Sequence, residues 1–412
     1  MKEIEKEMRY MGTIKLYDID AYATRFEAKV LSCVESEFIC KDESMHQCYE
    51  VVLNQTLFFP EEGGQTPDKG KLGGAEVVDV QIKGDTIYHY VNMPLETGCE
   101  VSGAIDWQHR FFNMQQHSGE HIFSGLAYKK YGYKNVGFHL SNQIVTMDFD
   151  GVFSEVQLAE MEWEVNEAIV ANVEIKTGYP SREELVQLEY RSKIELEDDI
   201  RIVEIVGYDM CACCAPHVHR TGEIGVFKIQ SAQNYKGGMR ISFLCGFRAL
   251  EEYRKKSQIV SELTGILTTN QDNIAEHVSK LKEQVQNLKV ELAQTNQKLM
   301  EYKIADIPTG QQDVLLFETE LDSLVARNTV NKLMESHDGI CGIFIGNDKD
   351  GYNFIIGSKT CDCKEIATKL RQELNARGGG SAQMIQGAVV ASQNQIESLV
   401  SSRIESYLNP TK

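Results

Sequence analysis

Residues 111–126 read FFNMQQHSGEHIFSGL, and this stretch decides most about the fold. Its apolar side chains recur at helical spacing, so the pattern predicts an amphipathic helix from Phe111 to Leu126. His117 and His121 lie four residues apart, and on a helix that spacing places both side chains on one face, one turn apart. The stretch therefore predicts a helix that presents two metal-capable imidazoles at one point. Two ordinary surface histidines are the alternative.

A second pair with the same spacing lies in CCAPH at residues 213–217, after a predicted strand over Arg201–Val206. The two pairs together supply three imidazoles and one thiolate, a ligand set that suits a tetrahedral zinc ion. The chain holds only ten histidines, so chance is a poor explanation for two pairs with this spacing. Cys211, Cys214 and His219 lie beside the second pair and are alternative ligands.

Composition excludes several classes of protein. The 412 residues are enough for two to four domains, and no apolar run is long enough to span a membrane. The charged N-terminus lacks the apolar core of a signal peptide, which favours a cytoplasmic protein. The 11 cysteines are odd in number and irregularly spaced, so metal or redox chemistry is favoured over disulfides. A net charge of −19 argues against non-specific binding to nucleic acid.

One strip of the chain departs from this acidic balance. Between residues 228 and 248 every charged side chain is basic, namely Lys228, Lys236, Arg240 and Arg248. Such a strip can hold the end of a nucleic acid even on an acidic protein, because phosphate contacts need Lys and Arg. A solvated strand face is the alternative.

Turn and strand signals divide the chain into four predicted segments. Residues 1–98 predict a small β-barrel or a sandwich, and residues 99–248 mix helices and strands around the two metal pairs. Residues 249–306 predict a helical hairpin, and residues 307–412 a C-terminal α/β domain. The predicted fold class is therefore α+β and multidomain: an N-terminal small β-barrel, an α+β zinc-binding core, a coiled-coil helical hairpin and a C-terminal α/β domain.

The third segment carries the clearest periodicity. Its apolar residues recur at alternating steps of four and three, which is the a/d seam of a coiled coil. The seam residues are Ile274, Val278, Leu281, Val285, Leu288, Leu292 and Leu299. Residues 250–267 are also predicted helical, with a turn of the hairpin at residues 268–272. The sequence leaves open whether the hairpin packs on itself or on a second subunit, and a homodimer is predicted through either the hairpin or the C-terminal domain.

The fourth segment alternates strands with helices. The predicted strands are Val314–Glu320, Gly342–Asn347, Tyr352–Ser358 and Met384–Val390, and the predicted helices are Ser323–His337, Cys363–Arg377 and a last helix ending at Leu408. Gly378, Gly379 and Gly380 follow the second of these helices. We predict that this triple glycine is a loop that caps the helix, with a role in ligand binding left open.

Four short segments occur in one order along the chain: the loop at Gly63, Gly64 and Gln65, then HSGEH, then CCAPH with its continuation TGEIG at residues 221–225, and finally the triple-glycine segment. Together they resemble the editing part of alanyl-tRNA synthetase. They resemble still more closely the free-standing alanyl-tRNA editing proteins of the long AlaX type. The resemblance covers nearly the whole chain, and it implies that no aminoacylation domain precedes the editing part.

The resemblance implies deacylation in trans of tRNA(Ala) mischarged with serine, with glycine as a second candidate. The bond broken would be the ester at the tRNA acceptor end. By matching positions, the ligands of one zinc ion per chain would be His117, His121, Cys213 and His217. Zinc suits such a reaction because it polarises a carbonyl and lowers the pKa of bound water.

The resemblance also assigns residues around the metal. Gln65 would orient the water or the ester, and Thr56 would sense the hydroxyl of serine, since a hydroxyl-lined pocket rejects an alanyl group. Gly63 and Gly64 would line the substrate site. Lys236 and Arg240 would contact the terminal nucleotides, with surface solubility as the alternative.

Two other functions remain open. HSGEH also matches the HxxEH signature of inverted zinc peptidases, with Glu120 as general base and a further ligand from Glu195, Glu197, Asp198 or Asp199. That interpretation leaves the CCAPH pair and the Gly-Gly-Gln loop unexplained. The other alternative is a non-catalytic tRNA-binding module, because four protein ligands are typical of structural zinc. If the protein is instead an enzyme with these four ligands, catalysis requires one of them to be displaceable, and His217 and His121 are the candidates.

Overall fold

The computed structural model describes residues 12–39, 45–141, 144–192 and 200–401. It divides into two compact units, Met1–Val260 and Ser261–Lys412, and each mixes helices with strands. The chain is thus α+β, as predicted, while the finer division into four segments stays a prediction. Within the described ranges, no helix is both long enough and apolar enough to cross a membrane.

The first unit begins with a closed β-barrel whose strands follow the order β2-β3-β7-β6-β5-β8. The strands of this region are β1 (Ile14–Lys15), β2 (Arg25–Ile39), β3 (Met45–Leu53), β4 (Gln55–Thr56), β5 (Gly70–Leu72), β6 (Ala75–Lys83), β7 (Thr86–Val91) and β8 (Glu100–Ile105), with a short helix α1 (Leu16–Ile19). Alternating apolar residues of these strands, such as Val30, Val51 and Leu53, fill the interior and are fully buried.

The metal-motif helix, α2 (Trp107–Tyr131), is longer than predicted at both ends. It begins after Asp106, whose carboxylate accepts a bond from the backbone N–H of His109, and it ends at Gly132 in the left-handed region. Every residue from Asn113 to Ala127 is buried, so the prediction of an amphipathic helix is wrong. The helix tolerates burial all round because its polar side chains find partners inside the unit.

Two sheets and two further helices belong to the same part of the unit as α2. Strands β9 (Asn135–Leu140), β10 (Val145–Phe149), β14 (Phe227–Tyr235) and β15 (Gly238–Cys245) form an antiparallel sheet in the order β14-β15-β10-β9. Strands β11 (Ile175–Gly178), β12 (Ile202–Ile205) and β13 (Asp209–Ala212) form a second, smaller one. Helices α3 (Glu155–Ala171) and α4 (Arg182–Leu185) complete this part of the unit.

A buried ion pair ties α2 to the barrel. Arg110 is 0% exposed and Asp68 is 1% exposed, and their side chains are joined by two hydrogen bonds of 3.0 Å and a third, shorter contact. Arg110 also donates to the carbonyl of Leu57 at 2.6 Å, and Asp68 accepts from the N–H of Phe59 at 2.7 Å. These bonds fix the segment that follows Thr56 against the helix that carries the histidines.

Two long helices follow the first unit's last sheet. Helix α5 (Gly246–Leu267) is followed by a 3₁₀ turn at Gln271–Asn273 and by α6 (Ile274–Ala305). The predicted seam lies on α6, and its side chains are half-exposed in a single chain, for example Val278 at 49%, Leu281 at 48% and Leu288 at 62%. Coiled-coil pairing of this seam therefore stays a prediction.

The second unit contains a five-stranded sheet in the order β16-β17-β18-β20-β19, in which only the β16–β17 pair is parallel. Its elements are β16 (Val314–Glu318), α7 (Ser323–Ser336), β17 (Cys341–Asn347), β18 (Gly351–Gly357), α8 (Cys363–Leu374), β19 (Arg377–Gly380), β20 (Met384–Val389) and α9 (Gln393–Ser401). The predicted end of the last helix at Leu408 lies outside the described residues.

The triple glycine corrects one prediction. Gly378, Gly379 and Gly380 are part of the edge strand β19, paired antiparallel with β20, and are not a capping loop. Helix α8 ends instead at Asn375, whose φ of 53° lies in the left-handed region. Asparagine tolerates this conformation, so no glycine is needed to stop the helix.

Candidate metal centre

The two sequence pairs meet in space. His117 and His121 project from α2, and Cys213 and His217 lie in the loop after β13, which contains Pro216 and is not helical. The four potential ligand atoms all lie within 4.8 Å of one another. The Sγ atom of Cys213 lies 3.6 Å from Nε2 of His117 and 3.5 Å from Nε2 of His217.

These separations fit zinc. Ligand bonds of about 2.05 Å to nitrogen and about 2.3 Å to sulfur, at the tetrahedral angle, require a nitrogen-to-sulfur distance of about 3.6 Å. The observed distances of 3.6 and 3.5 Å satisfy that requirement. Imidazole and thiolate donors also match the chemical preference of zinc. The four side chains therefore form a cluster able to hold a metal ion.

Each histidine of the cluster is oriented by a bond at its other ring nitrogen. Nδ1 of His117 lies 2.9 Å from Oε1 of Gln65, Nδ1 of His121 lies 3.0 Å from Oδ2 of Asp209, and Nδ1 of His217 lies 3.0 Å from Oγ of Ser118. These contacts leave the three Nε2 atoms directed at the common point, as in most metal sites built from histidine. Sequence reasoning did not single out Asp209 or Ser118, although Ser118 belongs to the HSGEH motif itself.

Asp209 is held in turn by Arg191. The Arg191 guanidinium donates from Nε to Oδ1 at 2.6 Å and from Nη2 to Oδ2 at 2.8 Å. Burial raises the pKa of Asp209, but the hydrogen bonds and charges of Arg191 and His121 lower it by more than burial raises it. The pKa of Asp209 is therefore below its usual value. Asp209 therefore presents a charged carboxylate to His121.

The electrostatics distinguish Cys213 from its neighbours. Burial disfavours the Cys213 thiolate, but the surrounding histidines, His117 first, lower the pKa of Cys213 well below its usual value. Burial raises the pKa of both Cys211 and Cys214. Cys211 also belongs to a second metal-capable group with His121 and Asp209, whose carboxylate is already engaged by Arg191. Among the three thiols, the geometry and the charge favour Cys213 as a ligand.

The histidines themselves differ in proton affinity. Burial lowers the pKa of His121, but Asp209 and the Cys213 sulfur outweigh burial and raise it to about 10. Burial dominates at His217 and lowers its pKa to about 3. The His121 imidazole is thus the more basic donor of the two.

The Gly-Gly-Gln loop forms a tight turn beside the cluster. Gly63 and Gly64 have φ values of 61° and 82°, and the N–H of Gln65 donates to the carbonyl of Glu62 at 3.0 Å, as in a type I′ turn. A Cβ atom on Gly64 would lie 2.1 Å from the carbonyl oxygen of Phe138, so the turn requires glycine there for space as well as for conformation.

A cavity of about 480 Å³ lies beside the cluster and the turn. Its walls include Gly63, Gly64, His117, His121 and Cys213. This volume is typical of small-molecule sites. The cluster thus faces a space in which a substrate group can reach it.

The other predicted site residues do not line this cavity among the described residues. Gln65 is fully buried against His117, and Thr56 is fully buried with its Oγ1 atom 2.8 Å from Nε2 of His89. Arg240 forms a two-bond ion pair with Asp148, and Lys236 lies in the β14–β15 turn. None of Thr56, Gln65, Lys236 and Arg240 is among the described residues that line the cavity.

The peptidase alternative finds less support in this geometry. Glu120 is 1% exposed and accepts hydrogen bonds from Ser124 Oγ at 2.6 Å and from Asn135 Nδ2. The histidine pair converges on the Cys213/His217 pair. The candidate carboxylate ligands Glu195, Glu197, Asp198 and Asp199 lie outside the described residues.

Comparison with known proteins agrees with this architecture. The family described as "Threonyl and Alanyl tRNA synthetase second additional domain" matches residues 200–242, and "tRNA synthetases class II (A)" matches residues 2–109. The chain is 28% identical to "Alanyl-tRNA editing protein Aarsd1" of Danio rerio, covering 93% of this chain and 96% of that protein. It is 25% identical to "Alanyl-tRNA editing protein AlaX-L" of Pyrococcus horikoshii, covering 96% and 99%. It is 27% identical to "Alanine--tRNA ligase" of Ignicoccus hospitalis, covering 92% of this chain and 41% of that protein.

Residues 200–242, which carry Cys213 and His217 of the cluster, thus match the additional domain shared by threonyl- and alanyl-tRNA synthetases. Similarity to proteins named alanyl-tRNA editing protein, Aarsd1 and AlaX-L, extends over nearly the whole chain.

Proposed function

We propose that this protein is a hydrolase that removes wrongly attached serine from the acceptor end of tRNA(Ala), using one zinc ion. Wrongly attached glycine is proposed as a second substrate. The observation that carries the proposal is the convergence of His117, His121, Cys213 and His217 beside a cavity of about 480 Å³. The names of the relatives, alanyl-tRNA editing proteins, support the substrate class.

The reaction breaks a carboxylic ester and needs stabilisation of negative charge on the former carbonyl oxygen. Zinc, when bound, supplies the positive charge that polarises such a carbonyl. The chain's own residues hold the ligands in place: Gln65, Asp209 and Ser118 orient the three imidazoles. The Gly63–Gly64 turn brings main chain, without side chains, up to the cavity, and we propose it as a substrate-binding wall.

The remaining predicted residues keep proposed roles of a different kind. Gln65 is proposed as a positioning residue that acts through His117, since its Oε1 atom bonds that imidazole. Thr56 as a sensor of the serine hydroxyl stays a prediction, because its hydroxyl is engaged by His89 and by the N–H of Phe58. Lys236 and Arg240 are proposed contacts for the terminal nucleotides.

Four protein ligands would close the zinc site, so turnover requires one of them to leave the metal. We propose that His217 is the ligand that leaves. Its Nδ1 partner is the neutral hydroxyl of Ser118, whereas that of His121 is the carboxylate of Asp209. A carboxylate partner raises the basicity of a ligating imidazole more than a hydroxyl does, so His217 is the weaker donor.

The test is direct hydrolysis. Purified protein is mixed with seryl-tRNA(Ala) and alanyl-tRNA(Ala), with zinc and after treatment with a chelator. We expect rapid loss of the seryl ester with zinc, slow loss after chelation and survival of the alanyl ester. Survival of the seryl ester at its spontaneous rate in the zinc-loaded protein would refute the proposal. If Cys213→Ala unfolds the protein instead of only inactivating it, the zinc is structural.

We also propose a homodimer through α6. Its seam exposes Val285 by 51%, Leu288 by 62% and Leu292 by 61%, which is a typical surface for coiled-coil pairing. The mass in solution at micromolar concentration, compared with that of the Leu288→Glu variant, checks this proposal. A wild-type protein of monomeric mass would refute it.

A further inference from the structure

The cavity beside the cluster contains a carboxylate oxygen that lacks a hydrogen-bond partner among the described residues. Glu62 lines this cavity, and its Oε2 atom is buried without a hydrogen bond to any residue in the described part of the chain. A buried charged oxygen left unpaired is costly, and proteins normally pair such groups. Its position in a substrate-sized cavity indicates that the missing partner is a group of the ligand.

The tight turn explains why Glu62 points inward. Glu62 and Gln65 occupy the two ends of the turn. Gln65 bonds His117, and Glu62 lines the cavity together with His117 and His121, so both ends lie beside the metal cluster. The neighbouring Glu61 is not among the described residues that line the cavity, and its Oε2 atom accepts a bond from Gln81 Nε2 at 3.2 Å. These two adjacent carboxylates thus have different surroundings; of the two, Glu62 lines the cavity, as does the more distant Glu120.

The cations nearest to this cavity are mostly engaged. Arg191 is paired with Asp209. Arg201 lies 3.3 Å from Asp18 and donates to the carbonyls of Cys213 and Ala215. Lys15 also lines the cavity, and no ion pair joins it to Glu62 among the described residues. Among the described residues, the Cys214 thiol is a hydrogen-bonding neighbour of the Glu62 carboxylate, and no cation forms an ion pair with it.

An aminoacyl ester supplies the complementary charge. Its α-ammonium group is attached one carbon from the ester carbonyl, so when that carbonyl is at the metal cluster, the ammonium lies in the same cavity. We propose that Glu62 binds the α-ammonium group of the aminoacyl ester. The assignment rests on the proposed function, and it adds that the site requires a free amino group and rejects N-acylated aminoacyl-tRNA.

The test compares two substrates with three proteins. The substrates are seryl-tRNA(Ala) and N-acetyl-seryl-tRNA(Ala), which lacks the positive charge, and the proteins are wild type, Glu62→Gln and the control Glu61→Gln. We expect Glu62→Gln to lower kcat/KM on the free amino substrate by about 10- to 100-fold, the usual effect of losing one bond to a charged group. Its kcat/KM on the acetylated substrate should not change. Glu61→Gln should resemble wild type on both.

The outcomes separate the two proposals. Equal losses of Glu62→Gln on both substrates, or no loss on either, would overturn the role of Glu62 while leaving the editing reaction intact. Wild-type protein that hydrolyses both substrates equally well would overturn it too. Failure of wild type to hydrolyse either substrate would instead refute the proposed function. Zinc content and the unfolding midpoint of Glu62→Gln should match wild type.

Discussion

Replacement of Asp209 by asparagine tests the metal site most sharply, because it changes no proposed ligand. Oδ2 of Asp209 accepts from both His121 Nδ1 and Arg191 Nη2, at 3.0 and 2.8 Å, while Oδ1 accepts from Arg191 Nε at 2.6 Å. An asparagine has only one oxygen. In either orientation of its amide, an N–H group faces another donor, either on Arg191 or on His121.

The expected magnitude follows from these contacts. Loss of the partner that orients a ligating histidine costs about 10- to 100-fold in metal affinity. Asp209→Asn should therefore weaken zinc binding by about 1.4–2.8 kcal/mol. Competition with a chromogenic chelator measures the affinity, and the editing assay is run at saturating zinc so that affinity and turnover are separated.

Asp148→Asn is the matched control. Asp148 also forms a two-bond ion pair with an arginine, from Arg240 Nε at 2.6 Å and Nη2 at 2.7 Å, but no histidine of the described residues is bonded to it. The control should bind zinc as tightly as wild type. Equal zinc affinities for wild type, Asp209→Asn and Asp148→Asn would show that Asp209 does not orient a ligand.

The same variant has a pH signature in the metal-free protein. The pKa of Asp209 is lowered in the folded state, so its charged form contributes stability above the unfolded value of about 3.9. That contribution is lost as the pH falls through the folded value. Asp209→Asn lacks this titrating carboxylate, so between the folded and unfolded pKa values its free energy of unfolding should depend less on pH than that of wild type. Urea denaturation across the acid range measures both.

Three further predictions follow from single contacts. Gly64→Ala should be more destabilising than Gly98→Ala, since both positions have positive φ but only Gly64 would place a Cβ atom against main chain, at 2.1 Å; urea unfolding compares them, and equal losses would contradict the steric argument. Arg110→Ala should lower the free energy of unfolding by about 3–5 kcal/mol because it leaves the Asp68 carboxylate buried and unpaired. If the losses of Arg110→Ala and Asp68→Ala add up in the double mutant, the energetic coupling of the two side chains is refuted. Zinc must displace the proton of His121, whose pKa is about 10, so zinc affinity should rise about tenfold per pH unit between about pH 7 and 9; a flat profile would contradict that pKa.

The sequence by itself determined the secondary structure closely. The predicted strand Gly342–Asn347 is observed one residue longer, as Cys341–Asn347, and the predicted strand Tyr352–Ser358 is observed one residue earlier, as Gly351–Gly357. These signals are local, because alternating apolar residues and flanking turns specify a strand without knowledge of its neighbours. The His and Cys pairs were found in the same way, from their spacing.

Tertiary structure decided which side chains act together. The amphipathic prediction for α2 was wrong because burial of its polar residues depends on distant partners, such as the main chain of Cys245 for Gln116. The triple glycine was mistaken for a cap because an edge strand is defined only by its pairing with residues 384–389. Asp209 and Glu62 could not be assigned from sequence at all. Their roles rest on contacts with His121 and with an open cavity, and neither contact follows from spacing along the chain.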